Sequence, residues 1–305
     1  KGEGWASTSV RCGNAVGYVT YDEVSQSTAK VHELIAAAIQ ITNAGAVKIK
    51  TEKPNKIGRV FHLIDKHNAD EKTEIRQQEA YRSWDNLYEN GDLIPIHVRE
   101  DMYRRNSKAE LGDTRPLPYL KDLFQFALDA TESGDVIIWG NSDTILHPDI
   151  VEYSKMHTAV YGACSFFRTE FAHKPTPLDY SPRDYASQGR GKHIGRDAFA
   201  FSRDWMVKNW DRIPDAVLAA SMWDIHMACL IRLDYKILTT NKNIGEQMFP
   251  AESELGMVGH IAHHSAWNMA NPNQNPSNAH NGQLFKKFAE KYLPELKVTP
   301  EGNLA

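Results

Sequence analysis

Asp135 to Ile150, DVIIWGNSDTILHPDI, is an apolar run that stops at a glycine and gives way to an amide, a hydroxyl and a carboxylate. Val136 to Trp139 contains no charged residue, the pattern of a strand buried on both faces of a parallel sheet. Gly140 ends it. In open α/β sheets ligands bind beyond the carboxyl ends of the strands, so Asn141, Ser142 and Asp143 fall where a ligand would sit. Their oxygen atoms suit a hard divalent cation that holds a diphosphate. A carboxylate after a strand caps a helix equally well.

The elements upstream repeat the same grammar. RVFHLID (Arg59–Asp65) reads as a buried strand. A helix from about Thr73 follows, with Ala80, Trp84, Leu87 and Tyr88 on one stripe and Asn90-Gly91 as its stop. LIPIHV (Leu93–Val98) is the next strand, which completes a β-α-β unit expected to be parallel and right-handed. After a charged loop with Arg99, Arg104, Arg105 and Lys108, a helix enters through Pro118 with Leu120, Leu123, Phe124 and Ala127 facing the core. Downstream, a short helix is expected from Pro148 and strands near 159–167 and at DAFAF (Asp197–Phe201). Helices are expected at 203–210 and 222–231, and a strand at YKILTT. The Asn- and Pro-dense stretch 268–281 reads as loop before a C-terminal helix at Leu284–Tyr292. Residues 1–57 are less readable: a helix at Val31–Ala44 follows a Gly-, Ser- and Thr-rich opening that suits a loop or a short hairpin.

Bulk properties bound the function. At 305 residues the chain can bury a full α/β core. A net charge of −4 and a pI near 6.4 give no global pull toward nucleic acid or an anionic membrane, though a local basic patch is compatible with both. Cys12, Cys164 and Cys229 are odd in number and have no CxxC spacing, which favours a reduced, cytoplasmic setting over a disulfide framework. No stretch reaches the roughly 20 apolar residues of a membrane span.

In order along the chain, RVFHLID, Arg76…Ser83-Trp84, GDTRPLPYLKDLF, IWGNSD, GRDAFAFSRDW, IPD, WD and HIAHHSAW resemble GT-A-fold glycosyltransferases over residues 59–267. The resemblance implies an α/β, GT-A-like fold: a Rossmann-like, mostly parallel central sheet flanked by helices, with an irregular acceptor-side region. It implies a catalytic domain over 58–267, an N-terminal segment 1–57 packed on it, and a tail 268–305. The implied activity is transfer of a sugar from a nucleoside diphosphate, most simply a UDP-sugar, to an acceptor hydroxyl with Mn2+ or Mg2+. Asn141 stands where the family commonly has an aspartate, which leaves Asp143 as the carboxylate ligand of the metal.

The same resemblance assigns the remaining site. A late histidine should complete the metal site, and HIAHHSAW offers His260, His263 and His264, with His264 taken as the ligand; an imidazole tilts the choice toward manganese. His62 and Asp65, at the end of the first strand, stand where the base would dock. Asp122 matches the nucleotide contact, Arg115 or Lys121 could reach the diphosphate, and Asn141, Ser142 and Asp197 line the donor. Lys121 and Asp122 also read as ordinary first-turn polar residues and Asp113 as an N-terminal cap. Asp224 lies in a helix apolar almost all round, where desolvation would raise its pKa toward proton transfer, and it is the candidate base; a helix cap or a buried pair with Arg203 explains it equally. Ser187–Asp197, with Arg190, Lys192 and Arg196 among glycines, could clamp an anion or be a solvated loop.

The acceptor classes left open are a glycan, a small molecule, a protein side chain and a hydroxymethylated DNA base. A nucleotidyltransferase is the enzymatic alternative, although Lys66-His67-Asn68 is a poor match to its phosphate loop. A non-catalytic carbohydrate-binding protein is the third reading, given seven Trp, but Trp84, Trp205 and Trp223 have core spacing.

Overall fold

The computed structural model describes residues 7–12, 15–20, 58–65, 71–98, 105, 110–111, 117–171, 192–218, 220–234, 257–261 and 276–294. The chain forms two compact units, Lys1–Pro54 and Asn55–Ala305. In the first, β1 (Ser7–Cys12) and β2 (Ala15–Thr20) make an antiparallel hairpin, from Ser7 opposite Thr20 to Cys12 opposite Ala15. The helix expected at 31–44 lies outside the described residues.

The second unit opens with β3 (Val60–Asp65), α1 (Glu71–Glu89) and β4 (Ile94–Val98), the expected β-α-β unit, with β3 and β4 parallel. Ala80, Trp84 and Leu87 are buried and Tyr88 is half-buried, as the stripe requires. Gly91 stops α1 in the left-handed region, at φ 74°. α2 (Leu120–Ala130) then buries Leu120, Leu123, Phe124 and Ala127 completely before β5 (Val136–Gly140). β6 (Ile145–Leu146), α3 (Ile150–Tyr161) and β7 (Ala163–Phe171) follow, then β8 (Lys192–Ser202), α4 (Arg203–Lys208), α5 (Trp223–Asp234), β9 (Val258–Ile261) and α6 (Pro276–Tyr292).

Seven of these strands form one sheet, ordered β4-β3-β5-β8-β7-β9-β6. β3–β4, β3–β5 and β7–β9 pair parallel; β5–β8, β7–β8 and β6–β9 pair antiparallel. Five strands therefore run one way and β6 and β8 the other, a mixed α/β fold. β5 is buried along its whole length as its apolar run demands, but it lies between a parallel and an antiparallel neighbour.

β8 alternates Ala198, Phe199, Ala200 and Phe201, all fully buried. The two phenylalanines share a face with Trp139; Phe199 stacks on Trp139 and on Phe201, and Phe124 of α2 and Trp223 of α5 close over this stack edge-on or tilted. On the alanine face Phe166 of β7 lies opposite Ala198 and meets Tyr153 of α3. No helix of the described residues is long and apolar enough to cross a membrane.

Four boundaries differ from the sequence-based expectation. α3 runs to Tyr161, so the strand expected at 159–167 is instead Ala163–Phe171. The DAFAF strand begins five residues earlier, at Lys192. No strand was expected at HIAHHSAW, yet His260 and Ile261 belong to β9. α6 starts at Pro276 within the stretch expected as loop, because proline is well placed in a first turn that needs no N–H. The YKILTT strand lies outside the described residues.

Gly162 ends α3 at φ 82°, and a Cβ there would stand 2.6 Å from Cδ1 of Trp205. Gly91 has a similar φ but open space around it. Gly162→Ala should therefore destabilise by about 2–4 kcal/mol and Gly91→Ala by about 1 kcal/mol, the difference measuring the clash with Trp205. Urea denaturation of both variants checks this; equal losses would show that only backbone strain is felt.

Candidate functional site

The five co-directed strands bring their carboxyl ends to one edge of the sheet, and the amino-terminal part of antiparallel β8 returns to the same edge. Gly140 makes this approach close: a Cβ there would stand 2.9 Å from the carbonyl of Asp197. The Asn141 N–H donates to that carbonyl at 2.9 Å, and its side-chain amide donates to the Asp197 carboxylate at 3.3 Å. Opposite β7, the register steps from Phe166–Ala198 to Phe167–Arg196, so Asp197 is the additional residue of a β-bulge. Bulges re-aim a side chain beside functional sites.

Helix α1 holds the loop that follows β5. Gln77 donates to the Ser142 hydroxyl at 2.9 Å, the Trp84 indole donates to the Thr144 carbonyl at 2.9 Å, and the Leu146 N–H donates to the Ser83 hydroxyl at 3.0 Å. Asn141, Ser142 and Asp143 are thus half-buried in a fixed turn, not the cap of a following helix.

Around this turn gather charges from distant parts of the chain. Arg168 of β7 pairs with Glu170 at 2.5 Å and with Asp197 at 2.6 Å. Burial works against its charge, but Asp197, Glu170 and Asp143 together raise its pKa above the ordinary value. His260 of β9 lies 3.3 Å from Asp143 through Nε2 and 3.3 Å from Glu170 through Nδ1. Burial alone would lower its pKa, yet the hydrogen bonds to Asp143 and Glu170 push it up to about 9.

Asp224 lies in the first turn of α5, half-buried, with the Arg196 N–H 3.5 Å from its carboxylate. Its pKa is raised mainly by burial; backbone N–H bonds from Ile225 and Arg196 oppose this and the charge of Asp197 reinforces it. Met222, just before this helix, has φ 72°, the one left-handed non-glycine among the described residues.

Other candidates are engaged differently. Asp122 is buried and takes Arg105 at 3.0 Å, and the same guanidinium pairs with Asp215 and lies over the Tyr119 ring at 3.9 Å. Lys121 sits over Trp210. His62 is 1% exposed, with Nδ1 2.7 Å from the Tyr88 hydroxyl and its ring edge-on to Trp84, inside the core. Asp65 ends β3 opposite Val98. Arg115, His263 and His264 lie outside the described residues.

Sequence reasoning did not anticipate Gln77, Arg168 or Glu170. The signal for the last two was available: in RTEF the charged residues alternate with Thr169 and Phe171, which places both on one face of a buried strand.

Among the described residues no group of three or more His, Cys, Asp or Glu stands ready to hold a metal ion. Asp143 and His260 do meet as a pair, and once the imidazolium gives up its proton a carboxylate oxygen and a ring nitrogen match in kind the donors that Mn2+ accepts. No protein-family model matches this sequence, and no curated protein matches it either.

His62 carries a pH prediction. Burial, and secondarily His97, lower its pKa to about 3. The unfolded chain takes up a proton near pH 6.5 that the folded chain refuses, so the stability is present above that value and is lost as pH falls toward 3. Between pH 6 and pH 5 wild type should lose about 1 kcal/mol more than His62→Gln. Urea midpoints at the two pH values measure this, and equal slopes in the two proteins would refute it.

Proposed function

We propose that this chain is a GT-A-type glycosyltransferase that moves a sugar from a nucleoside-diphosphate donor, most simply a UDP-sugar, to an acceptor hydroxyl. The observation that carries the reading is the convergence of Asp143, Glu170, Asp197, Arg168 and His260 at the carboxyl edge, with the half-buried Asp224 within the field of Asp197. Asp143, with His260 or His264, would hold the divalent cation, Mn2+ or Mg2+. When bound, that cation draws charge from the leaving diphosphate as a Lewis acid.

The protein groups act around that charge. Asn141, Ser142 and Asp197 orient the donor, with Asp65, Arg115, Lys121 and Asp122 on the nucleotide side; His62, buried in the core, takes no part. Arg168 fixes Asp197 and Glu170 in place through charge-assisted pairs to both carboxylates. Asp224 takes the proton of the acceptor hydroxyl. The oxygen then bonds to the anomeric carbon while the bond from that carbon to the phosphate oxygen breaks, and the diphosphate leaves with the electron pair. An Asp with a raised pKa is a better partner for that proton than an ordinary one.

The sugar-binding alternative finds little support in the tryptophans. Trp84, Trp139, Trp205 and Trp223 are each at most 5% exposed, so none of these four offers an open platform to a sugar ring.

Release of nucleoside diphosphate from a panel of nucleotide sugars, with Mn2+ or with EDTA, tests the activity; no metal-dependent release from any donor sinks it. Asp143→Ala should weaken metal-dependent donor binding by about tenfold or more while the chain still folds, with a lowered melting temperature because His260 loses its partner. Unchanged donor affinity in that variant removes the metal role. Asp224→Asn should keep donor affinity and reduce turnover about 100-fold or more, and wild-type turnover in it removes the base.

A further inference from the structure

The segment between Asp215 and Trp223 leads into the helix that carries Asp224, and it is fastened from α6. Asn281, 1% exposed, accepts from the Val217 N–H at 2.8 Å and donates to the Val217 carbonyl at 2.8 Å and to the Ser221 carbonyl at 2.9 Å. Asn278, one turn earlier on α6, accepts from the Ser221 N–H at 2.8 Å. Two side chains of the same helix face thus satisfy four backbone groups of one short segment.

What they fasten is strained. Met222 follows Ser221 directly and holds φ 72°, a region unfavourable for a side chain of its kind. It is also 7% exposed, so the conformation is locked into the core rather than into solvent. Its carbonyl takes the first hydrogen bond of α5, from the His226 N–H at 3.0 Å. The direction in which Trp223 and Asp224 leave the turn is therefore set at the strained residue. A backbone held in such a state persists only where its surroundings over-determine it, and the asparagines supply that constraint.

We infer that Asn281, supported by Asn278, is a positioning residue: it clamps the Met222 turn so that α5 presents the Asp224 carboxylate beside Arg196 and Asp197 of β8. The activity consequence rests on reading Asp224 as the base. The clamp itself does not. The tail residues 276–281, expected to be loop, acquire a role in the site through this contact.

The test uses the full chain and the nucleotide sugar that the donor panel identifies, with Mn2+. Asn281→Ala should lower kcat about 10- to 100-fold while donor KM stays within about twofold, because a misaimed group costs turnover more than binding. Ala289→Gly, in the interior of the same helix and away from the clamp, is the control. It should lower stability yet keep kcat. Loss of activity in Asn281→Ala no greater than in Ala289→Gly overturns the proposal.

An activity-independent measurement separates the clamp from the base. The pKa of Asp224, followed by carboxyl-carbon NMR, should fall toward the ordinary value in Asn281→Ala as the side chain turns toward solvent, its facing groups Arg196 and Asp197 being unchanged. An unmoved pKa overturns the clamp even if activity is lost. A moved pKa, together with wild-type turnover in Asp224→Asn, upholds the clamp and removes the base. If Asn281→Ala does not fold, Asn278→Ala, which removes one bond of the four, should show smaller shifts in the same direction; wild-type kcat and Asp224 pKa in that variant overturn the proposal.

Discussion

The carboxylates at the sheet edge can share that space because Arg168 stands among them. Glu170 and Asp197 sit on either side of its guanidinium, at 2.5 and 2.6 Å, and Asp143 adds to the same field. Like charges brought this close would otherwise drive one another to protonate or push the strands apart. The arginine and the imidazole of His260 supply the compensation, and both come from the neighbouring strands β7 and β9. Removal of either partner of such a group leaves buried charge uncompensated, which costs more than the pair contributes.

The position of Asp197 in this cluster follows from a strand running against the majority. β8 is antiparallel to β5, so its entry rather than its exit meets the end of β5. Gly140 permits the close approach, and the bulge at Asp197 sets the residue apart from the regular alternation of Ala198 to Phe201. Farther down, the same strand is anchored by the Trp139, Phe199 and Phe201 stack. A single element is thus rigid and apolar at one end and charged at the other. Placement of a site on such an element gives it precision that a loop could not.

The legible part of the fold was the part written in local periodicity. The runs of β3, β4 and β5 and the stripe of α1 need only nearest neighbours in sequence to be recognised, and the turn Asn141–Asp143 was visible because Gly140 interrupts an apolar run. Arg168 and Glu170 escaped because alternation reveals a face but not which end of the sheet the face adorns. Asp197 was placed near the site, yet its partner could not be known, since antiparallel pairing and a bulge are matters of tertiary register. α6 was misread for a related reason. Asn278 and Asn281 resemble loop residues in isolation, and only the segment they fasten explains amides in a buried helix face.

These misreadings share a cause. Local rules succeed where a residue serves its own element and fail where it serves another, and the second kind clusters around the candidate site: Gln77 and Ser83 hold the loop after β5, Arg168 holds Asp197, and Asn281 holds the turn before Asp224. Such residues contribute little to the helix or strand that carries them. Their polar groups are buried, so each needs its distant partner and each partner needs it. The charged edge is consequently as cooperative as the core beneath it: one aim, once lost, loosens the constraint on the next. A purely structural sheet edge has no need of this interdependence, and a simpler set of apolar side chains would close it at lower cost in desolvation.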